Sequence, residues 1–208
     1  MKAILLPFRS QHAYNILLGK KTLELRTRIP KEIIEQIKNK EIDGVWVYGY
    51  VTKGYPLLNY IDDKYKLMDR KNHTIFHNIG MYEFYSDNIH LNGTIPFRFW
   101  FDEYEELEYT IFMGFGGYND DLNDLLCLTD EEIDDYGKGK NLYAWHIKKL
   151  HIFDKPKALS EFYRGTFYET PFKLSTLNKG EYINKEKWLD MATLKRPPQS
   201  YQYVWVKE

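Results

Sequence analysis

Lys20, Lys21, Glu24, Arg26 and Arg28 crowd five ionisable side chains into nine residues that follow Gly19. From Thr22 to Arg26 apolar and polar residues alternate. A strand of this pattern turns Leu23 and Leu25 to one face and Glu24, Arg26 and Arg28 to the other. Lysine and arginine on such a face can neutralise phosphates, and Arg26 can make a bidentate contact to a base. The competing reading is a structural ion pair between Glu24 and Arg26, and for Lys20 and Arg28 a solvated role leads. Lys21 with Glu24 also forms a candidate catalytic acid/base pair.

A second constellation is Tyr143, Trp145 and His146. Alternation puts Tyr143 and Trp145 on one face of a strand and His146 on the other. The aromatics suit stacking on an extruded or single-stranded base, or burial in a core, the commoner fate of a large aromatic on a central strand. His146 suits a general base, a donor to a base edge, or a structural histidine. Other patterns carry less chemistry. His73 and His77 have i, i+4 spacing but no third ligand in view, and Thr74-Ile75-Phe76 favours a strand. The run from Gly114 to Gly117 precedes Asp120, Asp121 and Asp124, which repel phosphate, so it reads as a mobile turn. Asp102 to Glu108 reads as a solvated acidic edge. Cys127, in an apolar run, reads as buried and inert.

The elements that must position these groups follow from periodicity. Lys2 to Pro7 reads as a buried strand, and Ser10 caps a helix with Ala13, Ile16 and Leu17 as its stripe, stopped by Gly19. Pro30 opens a helix to about Lys38, and Val45 to Thr52 is a strand. Thr94 to Phe101 is a strand in which Pro96 predicts an edge or bulge. Glu108 to Phe112 can extend that sheet. Thr129 and Glu132 form a capping box for a helix that Gly137 ends. Leu142 to Phe153 is strand-like with a break near Lys148 and Lys149, and Lys155 to Phe162 turns into a short helix. Asn184 to Leu194 reads as a helix and Tyr201 to Val206 as a final strand. The stretch 53–92 has no sustained period and reads as an insertion with a hairpin or short helices. The sum is one α+β domain on a mostly antiparallel, barrel-like sheet.

The segment Ile4–Pro30, with its strand, helix, Gly-Lys-Lys-Thr turn and Leu-Glu-Leu-Arg strand, resembles the start of the ASCH domain family of the PUA-like superfamily. Two further stretches fit in order. One is Leu142–Phe162, with Tyr-Ala-Trp-His and a Lys-Pro-Lys-Ala-Leu-Ser-Glu-Phe close, similar to bacterial and phage members; the other is Arg196-Pro-Pro-Gln-Ser-Tyr before the last strand. The resemblance implies a PUA-like/ASCH β-barrel with flanking helices over 1–208, carrying a large insertion at about 53–127. It also implies a role in binding RNA or modified nucleotides. Some small members are amidohydrolases acting on N4-acylated cytidine, with a lysine and a threonine from this segment and a distant glutamate. Lys21 matches the lysine, but Glu24 stands where the nucleophilic threonine falls, and Thr22 lies on the other strand face. Glu103 and Glu105 are the candidates for the distant glutamate.

Composition narrows the classes further. With 208 residues, 29 Lys+Arg, 30 Asp+Glu and a net charge of −1, the chain is no histone-like polycation, and 17% aromatic residues exclude acidic disorder. One cysteine excludes a disulfide framework and a multi-cysteine zinc module. The opening MKAILLPFRSQHAYN reads as no signal peptide, and no apolar run reaches the roughly 20 residues a span needs. The charge is segregated: Asp102 to Asp135 holds 13 acids and no Lys or Arg, leaving 29 bases against 17 acids elsewhere. The expectation is a cytoplasmic RNA- or modified-nucleotide-binding protein without cofactor, metal or membrane. Its contacts would be Lys20, Lys21, Arg26, Arg28, Tyr143, Trp145 and His146. The alternatives are a hydrolase of the same fold, acting on N4-acylated cytidine or RNA through Lys21 and Glu24, and a protein-interaction module docking through the acidic segment.

Overall fold

The computed structural model describes residues 2–70, 89–112, 115–118, 122–164 and 193–206. In chain order these form β1 (Lys2–Phe8), α1 (Ser10–Leu17), β2 (Leu23–Arg26), α2 (Lys31–Lys38), β3 (Val45–Val51), β4 (Leu57–Ile61) and β5 (Lys64–Met68). Then come β6 (Ile89–His90), β7 (Ile95–Phe101), β8 (Tyr104–Leu107), β9 (Tyr109–Phe112) and β10 (Phe115–Tyr118). The remainder is α3 (Asn123–Leu126), α4 (Asp130–Gly137), β11 (Leu142–His146), β12 (Lys148–Lys157), β13 (Phe162–Tyr163) and β14 (Gln202–Val206). The architecture is mixed α+β with strands dominant.

The largest sheet has the order β12-β7-β3-β1-β14-β13, with β1 and β3 parallel and the other pairs antiparallel. Ala3, Ile4, Leu5 and Leu6 are all inaccessible. An unbroken apolar run is what a central strand covered on both faces requires. On one face Ile4, Leu6 and Phe8 pack with Val47, Phe97, Phe99 and Phe101, against Ala13 and Ile16 of α1 and Ile33 of α2. On the other, Ala3 and Leu5 join Tyr48, Tyr50, Ile95, Phe162 and Val204. A Cβ on Gly49 would stand 2.3 Å from the Phe97 ring, so that ring rests on bare backbone.

A second sheet, β2-β11-β8, carries the motif strand. Its register sets Glu24 opposite Trp145 and Arg26 opposite Tyr143. Leu23 and Leu25 turn away into a separate cluster with Leu107, Leu126, Ile133, Leu142 and Ala144, as the period of two predicts. Thr129 and Glu132 complete the capping box that starts α4.

Several expectations change. Ser10 does not cap α1: Arg9 occupies that position, and Ser10 Oγ accepts from Asn92 Nδ2 at 2.9 Å. β7 is an interior strand, and Pro96 is accommodated where the register of β12 shifts between Ile152 and Lys157. Glu108 to Phe112 does not extend the large sheet; β9 pairs with β10, so Gly116 and Gly117 lie in a strand rather than a mobile turn. Cys127 is half-buried and takes a left-handed conformation (φ 51°) at the end of α3, rather than being buried. Among the described residues the strands form four separate sheets, none of them closed. Within 53–92 the hairpin β4–β5 and the strand β6 form the third sheet. His73, His77 and 184–192 of the helix expected at 184–194 fall outside the described residues, and Thr193, at its end, forms a β-bridge with Tyr163. No helix among the described residues is long and apolar enough to cross a membrane.

Candidate functional site

The turn after α1 delivers the motif to its place. Gly19 N–H donates to Ile16 O (2.8 Å) and Lys20 N–H to Asn15 O (2.9 Å), a Schellman arrangement with Gly19 at φ 69°. The chain leaves this turn with Thr22 N–H bonded to Leu125 O at 3.0 Å. Lys21 is thereby driven inward to 2% exposure, and its Nζ donates to Leu126 O at 2.6 Å. That carbonyl belongs to the last turn of α3, where carbonyls lack intrahelical partners.

Lys21 does not stand alone. Its Nζ lies 3.4 Å from Glu24 Oε2, and Arg26 Nη2 lies 2.7 Å from Glu24 Oε1. Glu24 is 4% exposed and pairs with two cations in a region withdrawn from water. Arg26 also donates to Pro7 O at 2.7 Å, and its guanidinium lies 5.3 Å from the centre of the Phe8 ring. His12 of α1 faces the same cluster. Burial pushes its imidazole below the ordinary value of 6.5; Glu24 opposes this, while Lys21, Arg26 and Arg9 act with it. Two buried polar atoms of this cluster, His12 Nδ1 and Arg26 Nε, have no hydrogen-bond partner among the described residues, and neither has Trp145 Nε1 on the strand opposite Glu24. With His12 neutral, the cluster carries two positive charges and one negative.

The depressed His12 value has a signed consequence. Between the folded-state value and 6.5 the unfolded chain holds more protons than the native one, so stability rises with pH across that window. Urea unfolding below pH 6.5 is expected to show the wild type losing stability relative to His12→Gln as pH falls. A constant difference between the two proteins from pH 5 to 7.5 would contradict this.

The other sequence-selected residues divide. Lys20 and Arg28 are exposed on either side of the cluster. Trp145 is 0% exposed, tilted against Phe101 at 4.6 Å and Tyr201 at 5.8 Å, so its ring faces are occupied by core aromatics. Tyr143 is half-buried and meets Tyr104 edge-on at 5.9 Å. His146 turns to the opposite face and pairs with Glu105 at 2.9 Å. Glu105 stands in register with Ala144, on the face opposite Glu24, and Glu103 pairs with Lys148 at 2.8 Å. Neither glutamate joins Lys21. No group of three His, Cys, Asp or Glu able to hold a metal is present among the described residues.

The residue that sequence reading missed is His12. Its signal was its place four residues before Ile16, at the edge of the apolar stripe of α1, where a side chain is half-covered and faces what the helix packs upon. Nothing in the local sequence says that this neighbour is the Lys21–Glu24–Arg26 strand.

No family model matches the sequence, and no curated protein matches it. Among solved structures the chain is similar to one described as the crystal structure of ASCH from Zymomonas mobilis, at 12% identity and a TM-score of 0.47. The superposition covers 99% of this chain and 88% of that one. At this level of likeness no residue role is carried from that protein to this one.

Proposed function

We propose that the protein binds RNA or a modified nucleotide at the cluster of His12, Lys21, Glu24 and Arg26. The observation that carries this reading is Arg26 Nε, a buried donor without an acceptor among the described residues, in a cluster with a surplus positive charge; Trp145 Nε1 and His12 Nδ1 likewise have no partner among the described residues. Arginine Nε–H and indole N–H can only donate, so the complementary group is rich in acceptors: a phosphate or a base carbonyl edge. In this reading Lys20 and Arg28 meet backbone phosphates at the rim, and Tyr143 lies along the ligand. Lys21 holds Glu24 and the end of α3 in place, and Trp145 contributes its N–H rather than its ring face. The scaffold is a single ASCH/PUA-like domain over 1–208, barrel-like and cytoplasmic, with 53–127 inserted, as the motif resemblance implies.

A fluorescence-polarisation titration with single-stranded RNA and with N4-acetylcytidine monophosphate tests this. Binding should weaken as salt rises, and Arg26→Gln should cost about 10- to 150-fold, the span of about 1.5–3 kcal/mol for hydrogen bonds to charged groups. Wild-type protein that binds neither ligand at low salt would end the proposal.

A second reading, hydrolysis of N4-acylated cytidine or RNA, is favoured by one observation: Lys21 Nζ lies 3.4 Å from Glu24 Oε2, with the depressed His12 imidazole close by. Against it, Lys21 already donates to Leu126 O and Glu24 is held by Arg26. Product formation by the wild type and its loss in Lys21→Met would support hydrolysis.

A further inference from the structure

A groove of about 560 Å³ opens at the same end of the large sheet but on its other face. Its walls include the buried Tyr50 and Leu194, and its rim carries the exposed Lys53, Lys195 and Arg196. Among the described residues no acidic residue lines it. Some surface lysines are partnered, Lys2 with Glu32, Lys148 with Asp102 and Glu103, Lys157 with Glu161, and others, such as Lys20 and Lys138, are exposed without an ion pair among the described residues. Among the described residues Lys53, Lys195 and Arg196 form no ion pair, so three cations converge on one concave surface with their charge uncompensated.

The groove and the His12–Arg26 cluster are neighbours across the end of β1. Arg26 donates to Pro7 O at 2.7 Å, while Thr52, in the groove wall, donates its N–H to Phe8 O at 2.8 Å. Asn92 ties the two sides together. Its Nδ2 is shared between Ser10 Oγ at the head of α1 (2.9 Å) and Thr52 O (3.1 Å). Each site thus has one residue hydrogen-bonded to the Pro7–Phe8 end of β1.

We propose that the groove holds the phosphodiester backbone of a single-stranded RNA whose base-bearing end occupies the His12–Arg26 cluster, so that the ligand is a polynucleotide rather than a free nucleotide. This rests on the reading given under Proposed function and specifies its ligand class. Exposed lysine and arginine, unpaired among the described residues and on a groove whose described lining holds no acid, match a run of phosphates, each contact releasing counterions.

Labelled oligouridylates of two, four and eight nucleotides, together with uridine monophosphate, titrated across a salt series, test it. Wild-type affinity should rise from two to eight nucleotides. In Lys53→Ala/Arg196→Ala the salt slope for the eight-mer should fall by about 1.4, two lost contacts at about 0.7 each on a single strand. The monophosphate affinity of that variant should be unchanged. Both substituted side chains are exposed, so an unaltered melting curve is the check on folding. Affinity independent of length, an unchanged slope in the double variant, or displacement of the eight-mer by polyglutamate as readily as by RNA would each overturn the proposal. Length independence with Arg26-dependent binding of the monophosphate removes only this inference. Absence of all binding removes the nucleotide reading as well.

Discussion

Glu24→Ala is expected to destabilise the protein by about 3–5 kcal/mol, because it strands two cations beside one another in a region shielded from water. The Lys21 side chain is 1% exposed and that of Arg26 14%, so water replaces the lost carboxylate poorly. Lys21→Met should cost less. It leaves the Glu24–Arg26 pair intact and orphans the Leu126 carbonyl, at about 1–3 kcal/mol. The decisive comparison is Lys21→Met/Glu24→Leu/Arg26→Met. Buried ion networks replaced by apolar residues of similar volume are often neutral or stabilising by about 1–4 kcal/mol. The triple variant should therefore fold at least nearly as well as the wild type and yet lose RNA binding. Urea denaturation read alongside polarisation titrations separates the two effects. A triple variant that still binds RNA like the wild type would make the network purely structural.

Trp145→Ala should cost about 3–5 kcal/mol, the range for deleting a large buried aromatic. Its ring is packed between Phe101 and Tyr201 at no accessible surface, so the loss is one of core packing. Trp145→Phe separates the ring from its N–H. Most of the packing survives, while the donor at Nε1, which has no acceptor among the described residues, disappears. The expected result is a modest fall in melting temperature with RNA affinity reduced about 2- to 12-fold, the equivalent of about 0.5–1.5 kcal/mol for a neutral hydrogen bond. A Trp145→Phe protein with full affinity would remove Trp145 from the ligand contacts and leave it as core alone.

Elements were legible where a short local pattern is enough. The alternation Leu23-Glu24-Leu25-Arg26 specifies two faces whatever surrounds it, and the structure keeps Leu23 and Leu25 in one cluster and Glu24 and Arg26 opposite. Thr129 and Glu132 satisfy each other's backbone within one helical turn, so that cap needs no partner from elsewhere. The break near Lys148 and Lys149 shows as a register shift in β12, with Lys149 at φ 46°. Ser10 was misjudged for the opposite reason. Its hydroxyl is taken by Asn92, a residue 82 positions away, and long-range competition of this kind leaves no local trace. Pro96, read as an edge or bulge position, stands on an interior strand opposite the register shift of β12, so the bulge alternative holds.

The candidate site shows the same division. The residue types from Lys20 to Arg28, and their sharing of a face, come from the sequence by itself, because a strand's period of two is a property of the backbone. Which of these charges is exposed was decided only by tertiary structure. Lys20 and Arg28 remain in solvent, while Lys21 is capped by a carbonyl 105 residues away and Glu24 is sealed beneath it. Burial is set by what packs on top, and here that is α1, α3 and the opposing strand β11, none of them adjacent to Glu24 in the chain. The same holds for Trp145. Its place on a strand face was readable, but whether that face meets a ligand or other aromatics depends on Phe101 and Tyr201. His12 enters the cluster because the turn at Gly19 sets α1 beside β2, whereas Lys53 meets Lys195 and Arg196 on one groove only because segments far apart in sequence fold onto the same sheet.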